Sequence, residues 1–334
     1  MTVNFNLQER SKFSSAPSSE SRQIAQKRMS IAIFTLATAV LGLMALGSAT
    51  RVMNAGLSCP DWPLCYGQIL PQQMNLQIFL EWFHRLVATS IGLGTLTLMS
   101  LSLWFRARLP QWLPWSLGGA LLLVVWQGVL GALTVTELLR FDIVTAHLGT
   151  GLLFFVSLLT IAASLFPQQL LPSHSVIKPA TKPAIKPAIQ IPEYLWKVGA
   201  IAAALVYAQS LLGGLVATRW ALHQCFGQQQ LCNVMNNHLT GVVPTTLAVI
   251  GLVILAMRSP ALPKPLRQGI HFVGVILAGQ LLLGYGTFRL HLQVAPLTVM
   301  HQLVGALLLG SIVLFTVLAY RVSHTNTNFG GLKS

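Results

Sequence analysis

Eight stretches of this chain, roughly 31–50, 79–104, 113–133, 144–166, 195–217, 239–257, 270–288 and 297–320, are apolar over the length that a bilayer demands. Crossing about 30 Å of hydrocarbon takes about 20 helical residues. A backbone in lipid must satisfy its hydrogen bonds within its own segment, so each stretch reads as a transmembrane helix. The charge content supports this. Only 8% of the 334 residues are charged, and seven are acidic. A soluble domain carries about 25% charged residues. Pro244 falls inside the sixth span and is expected to kink it.

The net charge of +14 raises the question of nucleic acid. Its distribution argues against such a partner. Arg10, Lys12, Arg22, Lys27 and Arg28 precede the first span, and Arg106 and Arg108 follow the second. Lys178, Lys182, Lys186 and Lys197 lie between or beside spans four and five; Arg258, Lys264 and Arg267 follow span six; Arg321 and Lys333 follow span eight. All these segments fall on one side of an eight-span chain, which the positive-inside rule makes cytoplasmic, with both termini inside. Residues 1–28, rich in Ser, Gln and Arg, read as a disordered cytoplasmic tail. Gly47-Ser48-Ala49 imitates a signal-peptide cleavage site, but the apolar run before it is too long, so span one reads as a retained helix. Residues 167–192 carry three Lys-Pro-Ala repeats and read as a semi-rigid cytoplasmic linker. It separates 29–166 from 193–321, with a short tail at 322–334.

The two halves form an internal repeat. His84 and His147 are 63 positions apart, and so are His238 and His301. Each of the four opens an even-numbered span, so all four lie near the outer face. Thr50-Arg51 ends span one as Thr218-Arg219 ends span five, and Gln127 and Gly131 match Gln280 and Gly284. The expected fold is therefore all-α, with two four-helix bundles related by a pseudo-twofold axis along the membrane normal. A ligand-capable side chain inside a membrane is costly and signals function. Two imidazoles facing each other in a helical bundle are a donor set for heme iron. Zinc is the weaker reading, because a closed zinc site gathers four N or S ligands in one place.

The halves differ beside His84. Glu81 and Arg85 become Met235 and Leu239 in the second half. Glu81 shares a helix face with His84 and is also an i,i+4 partner of Arg85. One reading is an ion pair; the other is a carboxylate beside a ligand held by His84. The second makes the first half the better candidate for chemistry. The four cysteines, Cys59 with Cys65 and Cys225 with Cys232, all lie in the long outer loops. Two short-range disulfides are expected there, with metal ligation or free thiols as alternatives.

The loop Gly56-Leu57-Ser58-Cys59-Pro60-Asp61-Trp62-Pro63-Leu64-Cys65, followed by Glu81-x-x-His84-Arg85 and the four histidines, resembles the heme A synthase family from span one to span eight. The resemblance implies an oxidoreductase that converts the C8 methyl group of heme O to a formyl group for cytochrome oxidase assembly. It implies a heme b cofactor on His238 and His301, and substrate heme on His84 and His147. Glu81 would serve catalysis as a base or as an electrostatic stabiliser. Arg51 and Arg219, at the ends of spans one and five, would meet heme propionates. The implied partners are heme O, a membrane electron acceptor, heme O synthase and oxidase assembly proteins, and a homo-oligomer stays open. The expected location is a bacterial-type cell membrane or another energy-transducing membrane. A di-heme electron-transfer protein is the alternative.

Overall fold

A computed structural model describes residues 17–167, 191–217, 229–290 and 293–325, without the side chains of 229–232 and 325. Arg219, Cys225 and the side chain of Cys232 lie outside this description, as does most of the linker. The described chain holds eight helices long and apolar enough to cross a membrane. They are α1 (Ser19–Val52), α2 (Leu76–Trp104), α3 (Trp112–Thr136), α4 (Phe141–Leu165), α5 (Tyr194–Val216), α6 (Gln229–Arg258), α7 (Lys264–Arg289) and α8 (Ala295–Thr325). The protein is an all-helical, multi-pass membrane protein.

Several helices outrun their apolar cores. The expected tail at 1–28 is corrected at its end: α1 begins at Ser19, not after residue 28. Ser18 supplies the reason. Its side chain accepts the Ser21 N–H at 3.2 Å, and Glu20 sits in the first turn. This is a capped N-terminus with favourable dipole charge. At the other end α8 continues to Thr325, past the expected boundary at residue 321. Pro244 lies inside α6, as expected.

Each half is a ring of four helices. α1 packs on α2, α2 on α3, α3 on α4 and α4 on α1; α5 to α8 repeat the pattern. The halves meet through α1 with α8, α4 with α8 and α4 with α5. Burial follows from this. Within their apolar windows α4 and α8 are 56% and 44% buried, against 17–28% for the other six. The outer helices turn side chains such as Trp115 and Leu122 outward, where lipid replaces water as the apolar solvent. Small residues allow the central contact: Gly310 of α8 lies under Phe155 and Leu159 of α4, and Gly214 of α5 under Leu148. Polar ties secure the far end. Ser30 Oγ donates to the Ala162 carbonyl at 2.8 Å, and Arg321 donates to the carbonyls of Ala163 and Phe166 at the end of α4.

Candidate functional site

The four histidines come from helices that sit diagonally in each ring. His84 is on α2 and His147 on α4; His238 is on α6 and His301 on α8. The diagonal helices are not packed neighbours, so the helices beside them, α1 and α3 or α5 and α7, form the walls. His84 and His147 nevertheless lie within electrostatic reach of each other, and so do His238 and His301. The structure thus brings together the pairs that the spacing predicted. None of the four opens its helix, however, since α2, α4, α6 and α8 start at Leu76, Phe141, Gln229 and Ala295.

A glycine on the preceding helix faces every ring. A Cβ built on Gly47 would stand 2.9 Å from Cε1 of His84. Corresponding distances are 3.6 Å from Gly131 to His147, 3.0 Å from Gly213 to His238 and 2.9 Å from Gly284 to His301. Sequence reasoning singled out Gly131 and Gly284 but missed Gly47 and Gly213. The available signal was one small residue late in every odd helix. Space at Gly47, Gly213 and Gly284 is needed for the rings, whereas 3.6 Å at Gly131 is ordinary contact, which yields a prediction. Gly284→Val should push His301 out of line and lower heme content, whereas Gly279→Val, on the same helix with nothing within 4 Å of its Cβ, should not. Heme-to-protein ratio in purified variants, alongside circular dichroism, checks this.

Nδ1 of His84, His147 and His301 is buried without a partner, and so is Nε of Arg51. Among the described residues no group of three or more His, Cys, Asp or Glu could hold a metal. Paired imidazoles with glycine at their edges, and a buried guanidinium N–H left over, fit a flat, anionic, iron-bearing ligand better than a closed metal cage. Arg51 also shows that the two histidine pairs share one end of the bundle. It ends α1 one turn beyond Gly47, and its Nη2 donates to Oε1 of Gln302, beside His301, at 2.8 Å.

The loop above α2 is tied down around Glu81. Cys59 and Cys65 are disulfide-bonded, with Cα atoms 4.7 Å apart, and both are buried with Ile78. Glu81 is 4% exposed, and both its oxygens are engaged. Oε2 accepts the Cys59 N–H at 2.9 Å, and Oε1 pairs with Arg85 Nη2 at 2.5 Å. Arg85 also donates to the carbonyls of Cys59, Asp61 and Leu64. The Glu81–Arg85 pair is therefore real, and it is a loop clamp as well as an ion pair. Asp61 stiffens the loop further by accepting the Tyr66 and Gly67 amides at 2.6 and 2.8 Å. The Gly67 amide, then that of Tyr66 and the charge of Arg85, hold the Asp61 carboxyl below its ordinary range.

The chain is similar in sequence to several known proteins. The chain is 26% identical over 201 residues to a Shewanella oneidensis protein named heme A synthase, covering 54% of each. It is 28% identical over 220 residues to the Methylorubrum extorquens protein of that name, covering 55% of this chain and 53% of that protein. With the Rhizobium etli protein of that name it shares 30% identity over 163 residues, 39% of this chain and 44% of that protein. The chain spans about half the length of the curated relatives it matches. The match to a family as a whole is broader: residues 30–313, from the first helix to the last, with both histidine pairs and the clamped cysteine loop inside it, fit the cytochrome oxidase assembly proteins, and the chain belongs to that family, COX15-CtaA.

Proposed function

We propose that this chain oxidises the C8 methyl group of heme O to a formyl group, giving heme A. The observation that carries this reading is the pair of histidine sites at one end of the bundle, each ring edged by glycine, in a chain of the COX15-CtaA family. The relatives' name, heme A synthase, supplies the substrate class. His238 and His301 hold heme b, which when bound supplies a one-electron acceptor. His84 and His147 hold the substrate heme. The two halves are related by a pseudo-twofold axis, supported by the repeated helix neighbours. Arg51, with its Nε free, takes a propionate, and Arg219 does the same in the second half. Two successive two-electron oxidations, through an alcohol and a hydrated aldehyde, account for the formyl group, with water supplying the oxygen and the membrane electron acceptor taking the four electrons. Glu81 stands one turn from His84, placed to hold a proton or balance a positive charge.

Both termini lie in the cytoplasm and the heme sites near the outer face of an energy-transducing membrane, supported by the basic inner loops. Cys225 and Cys232 form a second outer disulfide, by analogy with the first. Mass spectrometry of the non-reduced protein should find that link, and free thiols would contradict it. A membrane electron acceptor completes the reaction, with heme O synthase and oxidase assembly proteins as neighbours. The di-heme carrier reading is weaker, because electron transfer across a membrane favours hemes at different depths. Expression beside a heme O synthase, in a host without its own heme A, tests the proposal. Formyl heme in the membrane extract is expected. Heme O without formyl heme would contradict it.

A further inference from the structure

Where the two halves meet, at the end far from the histidines, three helices leave an apolar groove of about 300 Å³. α1 supplies Ile31 and Phe34, α4 supplies Ala162 and Ala163, and α8 supplies Leu314 and Leu318. The alanines are a low floor between two taller walls. Ile31 and Phe34 are 50% and 47% exposed, so the groove opens to the lipid side. Phe34 lies about 20 Å along α1 from Gly47, so the groove is no part of the histidine sites.

The lining has little to offer water. Ser30 Oγ takes the carbonyl of Ala162, and Arg321 takes those of Ala163 and Phe166, which also border the groove. A hydrocarbon chain suits such a slot, and the bilayer supplies one on that side.

The mouth of the groove is basic. On α1, Lys27 and Arg28 precede Ile31 by one turn on the same face, and both are exposed. On α8, Arg321 follows Leu318 by one turn and is fixed to the end of α4. Carboxylates do not answer this charge. Among the described residues neither Lys27 nor Arg28 is in an ion pair, and Glu193 at this end is taken by Lys197 at 3.3 Å. Glu20 lies two turns beyond Lys27, away from the groove. The positive-inside rule explains basic residues anywhere at this end. It does not explain why cations of both halves flank one apolar slot.

We propose that the groove binds one anionic phospholipid, with an acyl chain in the slot and the phosphate against Lys27 and Arg28, beside Arg321. Basic pockets between transmembrane helices hold anionic headgroups by this chemistry. The lipid closes the seam between the halves opposite the histidines, whatever the histidines bind.

Native mass spectrometry tests this on the full-length protein, purified in mild detergent and mixed with equal phosphatidylglycerol and phosphatidylcholine of matched chains. One phosphatidylglycerol per chain should survive activation that strips phosphatidylcholine. Lys27→Gln with Arg28→Gln should weaken its retention by about tenfold or more, since each basic residue near an anionic headgroup contributes about fivefold. Both side chains are exposed, so this variant should fold. Arg106→Gln with Arg108→Gln removes equal charge at the same end, after α2, and should leave retention unchanged. Leu318→Trp fills the slot, keeps the charge, and should lower retention at unchanged helix content. Equal retention of the two lipids, equal loss in the two double variants, or full retention in folded Leu318→Trp would overturn the proposal.

Discussion

On the proposed ligation of heme b by His238 and His301, replacing His301 by alanine is expected to abolish the low-spin b-type spectrum of the C-terminal half. The ring comes from α8, edges Gly284 on α7, and lies within electrostatic reach of His238 on the diagonal helix α6. Removing one imidazole of a two-imidazole site leaves iron with one protein ligand, so a low-spin spectrum becomes high-spin or the heme is lost altogether. The substitution removes a partly buried ring without burying a charge, so the helix should persist. His271→Ala is the matched control: its side chain is exposed near the start of α7, at the opposite end from Gly284, and its spectrum should match the parent. A normal low-spin signal from His301→Ala would remove His301 from the ligand set.

The second large effect is expected at Glu81. Glu81→Gln should cut heme A formation by about a hundredfold, the usual scale for a lost acid–base group, while the second-half heme is retained. The geometry complicates a simple version of this experiment. Glu81 and Arg85 side chains are only 5% and 14% exposed, so their pair is not the weak surface kind. Removing one partner of a buried pair costs about 3–5 kcal/mol, and here it also frees the Cys59 amide. Arg85→Gln separates the two effects, because it loosens the loop and leaves the carboxylate in place. If Glu81 takes part in the reaction, Arg85→Gln should retain more activity than Glu81→Gln, because both lose the buried pair and only the second loses the acid–base group. Equal losses, with the loop equally open to protease in both, would assign Glu81 to loop positioning alone.

What the sequence made legible depended on how local each signal was. Hydropathy marks the lipid-facing core of a helix, so all eight spans were readable. Their ends were not, because Ser18 and Glu20 extend α1 by polar capping beyond the apolar run. The histidine pairs were readable because duplication repeats their spacing at long range. Gly47 and Gly213 were missed because each is an ordinary helix residue until the facing ring is known. Glu81 shows the other limit. Its pairing with Arg85 follows from i,i+4 spacing, but the Cys59 amide is 22 positions away and arrives only through the folded loop.

The central claim is that the two histidine pairs serve different hemes, one resident and one being changed. Chromatography and mass analysis of the pigments bound to purified wild-type protein, made beside a heme O synthase, test this most directly. The account predicts about one heme b per chain together with heme O, its alcohol or heme A. About two equivalents of heme b per chain, with no prenylated heme, would contradict it and leave a di-heme electron carrier in its place.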